Sequence, residues 1–163
     1  MPKQNKTRQN RQNRQNRQNR QNKTFKNNRI NLSLLAKFQK EITIVFFEIL
    51  LMVKLYHWKT HSYATHKATD ELYSKLNSEI DSFIEVLLGK TGIRTNLMDK
   101  KNIRLIDLSS PDSLKREVDK FKSYLVGLNS NIAMKQMSNT DLYNIRDSIL
   151  GELNQFLYLL TFN

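Results

Sequence analysis

From Asn31 onward, apolar residues recur at intervals of three and four positions, the period of an amphipathic helix, and glycine and proline are scarce. The pattern predicts four main helices. The first spans about residues 32 to 60, with Leu34, Leu35, Phe38, Ile42, Val45, Phe46, Ile49, Leu50 and Val53 forming a wide apolar face. The second spans about residues 63 to 88 and ends at Gly89, with Leu72, Leu76, Ile80, Phe83 and Leu87 on its core side. A mixed connection follows over residues 90 to 110, with room for a short helix. The third helix opens at Ser110-Pro111-Asp112, a capping residue before a proline in the first helical position, and runs to about Lys135. The fourth opens at Asn139 or Thr140 and closes near Phe162. Two short joins and one long crossing, between the second and third helices, make an all-α four-helix bundle.

Residues 1 to 29 break this pattern. Residues 8 to 22 are five copies of Arg-Gln-Asn, with nothing apolar to offset the entropy of ordering, so the segment is expected to be a disordered tail when free. The domain division is therefore 1–29 for the tail and 30–163 for the bundle. The tail also relocates the charge. Of the +12 total, Lys3, Lys6, Arg8, Arg11, Arg14, Arg17, Arg20, Lys23, Lys26 and Arg29 supply ten positive charges without one acid. The other 134 residues balance 17 basic groups against 15 acidic ones. Such a tail points to a polyanionic partner, and its arginines suit phosphate contact without base reading. Taken alone, the tail does not separate DNA from RNA.

No apolar segment follows the tail's charges before Ile30, which argues against a signal peptide. The most apolar run, ITIVFFEILLMV at residues 42 to 53, contains Glu48 and is too short to cross a bilayer, so a soluble intracellular protein without a membrane partner is expected. There is no cysteine, which excludes disulfides, thiolate metal sites and cysteine nucleophiles. Any metal must be held by imidazole and carboxylate.

The second helix carries such groups in one stripe. With His66 at zero, Asp70 lies at about 40°, Asp81 at about 60° and Glu85 at about 100°, beside rather than within the core face. About 16 Å of helix separates Asp70 from Asp81, too far for one ion. The positions are nevertheless symmetric: His66 and Glu85 lie equally far from a midpoint between residues 75 and 76, and so do Asp70 and Asp81. Two copies packed antiparallel about a two-fold axis at that midpoint would form two identical His/Asp/Asp/Glu clusters. Either pair alone reads as a solvated surface pair; the symmetric placement is what points to a metal such as iron, manganese or zinc. His57, near the end of the first helix, is the fifth candidate ligand. His61 reads first as an exposed loop histidine and second as an alternative ligand.

At His57-Trp58, His66, Asp70, Asp81 and Glu85 the chain resembles the Dps family, the DNA-binding proteins of starved cells within the ferritin-like superfamily. The segment DLYNIRDSILGELNQFLYLLTF, residues 141 to 162, is similar to that family's last helix. The resemblance covers about Leu32 to Phe162 and implies a ferritin-like bundle with a ferroxidase centre shared between two subunits. His57, His66 and Asp70 would come from one chain, and Asp81 and Glu85 from its partner. It further implies iron as the metal, DNA as the tail's partner, a twelve-subunit shell and a cytoplasmic, nucleoid-associated setting. Two features depart from the family pattern: nine positions rather than twelve separate His57 from His66, and the usual glycine of that turn is missing. The shortened turn, with Asn- and Lys-rich usage, resembles relatives in large DNA viruses and admits a virion or virus factory as the setting. Glu-x-x-His pairs on two helices, the mark of an intrasubunit di-iron centre, are absent. Trp58 is expected to pack in the core. The alternative to an oxidase is a structural nucleic-acid-packaging protein with a vestigial metal site.

Overall fold

The structure, a computed structural model, describes residues 31 to 162; the basic tail and its expected disorder lie outside the described residues. The described chain is all-helical. Its four α-helices are α1 (Leu32–Lys59), α2 (Tyr63–Thr91), α3 (Pro111–Gly127) and α4 (Thr140–Leu159), with three short 3-10 turns at Leu128–Ser130, Met134–Gln136 and Leu160–Phe162. The chain divides after Asn31, and a compact unit begins at Leu32.

Several of the starts and stops have a local cause. Only residues 60 to 62 join α1 to α2, and the Ser62 hydroxyl caps α2 by accepting the Thr65 amide. The second helix runs through Gly89 and ends instead at Gly92, whose φ of 65° is the left-handed conformation that closes a helix. Its amide donates back to the Leu88 carbonyl at 2.9 Å. The third helix starts as expected: Ser110 and Ser113 form a capping box around Pro111. It stops at Gly127, well short of Lys135. Beyond it the Asn131 side chain accepts the amides of Ala133 and Met134, giving the backbone an alternative to a continuing helix.

The expected core face of α2 is buried throughout. On α1, Leu34 and Val45 are only partly buried, while Met52 and Tyr56 join the core. Phe46 is the hub. It is 1% exposed and meets Phe83 of α2 edge-to-face at 5.3 Å and Phe121 of α3 at 6.2 Å. The fourth helix lies antiparallel to α2. Lys75 pairs with Glu152 at 2.8 Å, and Lys90 pairs with Asp141 at 2.8 Å. These contacts raise the pKa of Lys75, chiefly through its hydrogen bonds to Glu152 and Glu71, and lower that of Asp141, chiefly through the one from Lys90.

The connection between α2 and α3 holds no helix and follows the length of α1. Gln39, 1% exposed, donates to the Ile93 carbonyl at 3.0 Å and the Thr95 hydroxyl at 2.8 Å. Farther along, Asp99 pairs with Lys40, Arg104 with Glu48 at 3.5 Å, and Asp107 with Lys59 at 2.6 Å. Eight residues of extended chain reach about 27 Å and the matching 19 positions of α1 about 28 Å, so this strap is nearly fully stretched. It returns the chain to the end where α1 finished. α3 therefore starts beside the turn that joins α1 to α2.

Because Phe46 touches two helices besides its own, Phe46→Ala is expected to cost about 3–5 kcal/mol of stability, measured as a lowered urea midpoint with an unchanged slope. A loss below about 1 kcal/mol would remove Phe46 from the centre of the core.

Candidate metal half-site at the α1–α2 turn

The short turn sets the C-terminal end of α1 against the first turns of α2. His57 and His66 bind each other reciprocally: His57 Nδ1 lies 3.0 Å from the His66 carbonyl oxygen, and His66 Nδ1 lies 3.0 Å from the His57 carbonyl oxygen. The rings stack at 3.9 Å with planes 24° apart. Thr69, fully buried, donates its hydroxyl toward the carbonyls of Thr65 at 2.8 Å and His66 at 3.0 Å. A carbonyl can only accept, so both Nδ1 atoms carry hydrogen, and each neutral ring keeps its lone pair on Nε2. This is the tautomer of a metal-ligating histidine whose second nitrogen is oriented by a backbone acceptor.

Asp70 follows one turn beyond His66. One of its carboxylate oxygens lies 3.8 Å from His57 Nε2 and 3.9 Å from Lys54 Nζ. The Lys54 ammonium also stands 4.6 Å from the centre of the Tyr73 ring and 6.0 Å from that of Trp58. Trp58 is 67% exposed, which corrects the expectation that it packs in the core. His57 is 7% exposed, and the next position on a helix is rotated by 100° away from that inward side. His61 is exposed in the turn, as read from the sequence.

Asp81 and Glu85 stand apart from this group. Both are exposed farther along α2, and neither has an ion-pair partner among the described residues. The described chain thus brings together His57, His66 and Asp70 and leaves the other two carboxylates outside. Among the described residues no group of three or more His, Asp or Glu side chains converges closely enough to hold a metal ion. The stacking contributes to this. A metal bound by imidazole lies in the ring plane about 2 Å from the nitrogen. Planes inclined by 24° with centres 3.9 Å apart meet only well beyond that distance, so the two rings as placed cannot both grip one ion.

Lys54, Thr69 and Tyr73 belong to this region and were not singled out by the sequence. Thr65 and Thr69 did leave a signal, because both fall at the angles of the apolar face of α2, where a polar residue needs a buried partner. Lys54 left none beyond its place one turn before His57.

The reciprocal bonding fixes an unusual tautomer, so it can be read directly. In 15N spectra above pH 8, His57 and His66 are expected to show the Nδ1-protonated form, and exposed His61 mainly the Nε2-protonated form of a free histidine. Nε2–H signals from all three would mean that the reciprocal bonds do not form.

Among comparisons with known proteins, a family model described as a family of unknown function (DUF5856) matches residues 57 to 160. The match starts at His57 and takes in the turn, α2 with all its candidate ligands, the strap, α3 and α4. No curated protein matches the chain, and no solved structure does. With most of its length inside that match, the chain belongs to the DUF5856 family, and the turn that pairs His57 with His66 lies at the start of the shared region.

Proposed function

We propose that this protein is a Dps-like ferroxidase that acts as a two-fold dimer or a larger shell and binds DNA through its basic tail. The observation that carries the reading is the half-site: His57, His66 and Asp70 gathered at one end of α2, with both imidazole Nδ1 atoms taken up by backbone carbonyls and His57 Nε2 facing the Asp70 carboxylate at 3.8 Å. Two carboxylates without an ion-pair partner among the described residues, Asp81 and Glu85, stand on the same stripe at the mirror-image distance. A second copy packed antiparallel on α2 brings its Asp81 to Asp70 and its Glu85 to His66. Phe47 and Leu51, apolar and exposed on α1, suit a covered surface. One long crossing, between the second and third helices, supports this reading, because ferritin-like bundles carry a single long crossover.

Ferrous iron is the substrate in this reading, with zinc or manganese as competitors for the same donors. Each iron passes an electron to dioxygen or peroxide, and the ferric product is stored. Iron binding in this arrangement requires the stacked rings to part, so that one or both Nε2 lone pairs turn toward the carboxylates. A non-catalytic packaging protein with a vestigial site is the second reading, favoured by those same stacked rings and by the pairing of Asp70 with Lys54. No described helix is long and apolar enough to cross a membrane. The shell of twelve, the nucleoid setting and the virion setting all rest on the resemblance.

A complementation experiment separates the two readings. His57→Ala/His66→Ala and Asp81→Ala/Glu85→Ala should each abolish ferrous oxidation. A heterodimer of the two variants, isolated with different tags, rebuilds one complete site of two and should recover about half of the wild-type rate. Failure to recover, with both variants folded, removes the shared site and leaves the packaging protein.

For the tail, replacing Arg8, Arg11, Arg14, Arg17 and Arg20 with Gln in the full chain should make the plot of log affinity for duplex DNA against log salt shallower by about 4 to 5. An unchanged slope would move the phosphate contacts off the repeats.

A further inference from the structure

The strap between α2 and α3 carries the bundle's excess of positive charge. Residues 93 to 104 hold Arg94, Lys100, Lys101 and Arg104 against a single acid, Asp99. Without them, the 17 basic and 15 acidic groups of residues 30 to 163 fall to 13 and 14, so the rest of the bundle is slightly acidic. Most of the segregated charge is also unneutralised. Asp99 is taken by Lys40 of α1, and Arg104 reaches Glu48 at 3.5 Å. The side chains of Arg94, Lys100 and Lys101 are exposed and make no hydrogen bond or ion pair among the described residues.

The backbone beneath those charges is built rather than loose. Gln39 fixes the strap at Ile93 and Thr95. The Asn96 side chain then accepts the Met98 amide at 3.0 Å, and the Leu97 carbonyl accepts the Lys100 amide at 2.8 Å, closing a tight turn with Lys100 and Lys101 on its outgoing arm. Between this stretch and α1 runs an open groove of about 590 Å³, with Lys37, Lys40 and Arg94 in its walls and Gln39, Thr95 and Asn96 as neutral hydrogen-bonding groups. Charges set on a closed turn lose less freedom on meeting a partner than charges on a loose loop.

We propose that the strap is a second phosphate-contact surface, through which the bundle itself grips the backbone of a nucleic acid. Arg94 offers a planar fork to a phosphate, and Lys100 and Lys101 act as point charges on its neighbours. No base edge is read, so binding follows charge and not sequence. A bilayer surface fits less well, because Met98 and Leu105 are the strap's only exposed large apolar side chains, too little apolar area to anchor a segment. The inference rests on the nucleic-acid reading of the tail and deepens it: the tail supplies reach, and the strap fixes the bundle against the polymer.

The test compares three full-length proteins on one DNA duplex across a salt series. They are wild type, Arg94→Gln/Lys100→Gln/Lys101→Gln, and Lys115→Gln/Arg116→Gln/Lys135→Gln, a control that removes the same charge at three cations likewise without an ion pair among the described residues. The strap variant keeps the pairs with Lys40, Glu48 and Lys59 that lay the strap along α1, and thermal melting checks each fold. The plot of log affinity against log salt should become shallower by about 2 to 3 in the strap variant and stay within about 0.5 of wild type in the control. A strap variant that matches wild type, or a control that loses as much slope, overturns the role of the strap and leaves the contacts of the tail standing. An unchanged DNA slope with lost adsorption to phosphatidylserine vesicles also overturns it and gives the strap to a membrane surface. No salt-dependent binding by wild type removes the nucleic-acid reading of the tail, and the role of the strap with it.

Discussion

Three residues, Thr60 to Ser62, reverse the chain between two helices of 28 and 29 residues, and that short join sets the register of everything built on them. A reversal this tight leaves no freedom to slide α1 along α2. Phe46 must meet Phe83, Lys54 must meet Asp70, and His57 must meet His66. The join also explains how the turn works without a glycine. Tyr56 accepts the Thr60 amide at 3.0 Å, the Thr60 hydroxyl accepts the Ser62 amide at 3.3 Å, and Ser62 caps the next helix, so side chains close the reversal without a left-handed residue.

The strap is the second constraint. Had α2 been followed by another short turn, α3 would have begun at the far end of the bundle and run antiparallel to α2. The stretched segment with its three ion pairs along α1 sends α3 the other way. Those pairs are largely exposed and add little each, so what holds the strap is the burial of Gln39 together with Ile93, Ile106 and Leu108 against the core. Charge then selects where the strap lies, and apolar contact keeps it there.

Much of this was legible in the sequence, and the reasons differ by element. The core face of α2 and the start of α3 rest on local rules, period and capping, that tertiary packing did not override. The end of α2 was misplaced because two glycines stand three residues apart, and only the backbone decides which one turns left-handed. The end of α3 was misplaced because the apolar residues Leu128, Ala133 and Met134 keep a helical look, while Asn131 takes up the amides that a helix would need. The place of Asp70 one turn beyond His66 was readable from spacing, and that of His57 beside them from the resemblance. The stacking of the two rings and the intrusion of Lys54 were not, because both depend on the rotation of one helix against the other. Trp58 was misread because a lone tryptophan suggests burial, whereas its neighbour His57 had already claimed the inward direction.

One consequence of the reciprocal histidine bonds concerns how the molecule opens. Helix ends ordinarily fray, each on its own, as the unpartnered amides of the first turn and carbonyls of the last turn exchange partners with water. Here the carbonyl of His57, in the last turn of α1, is held by a ring from α2, and the carbonyl of His66, in the first turns of α2, is held by a ring from α1. Neither terminus can loosen without releasing the imidazole of the other. The two helix ends therefore form a single cooperative unit, and the part of the bundle that carries the candidate ligands opens as a latch with two hooks rather than as two loose ends.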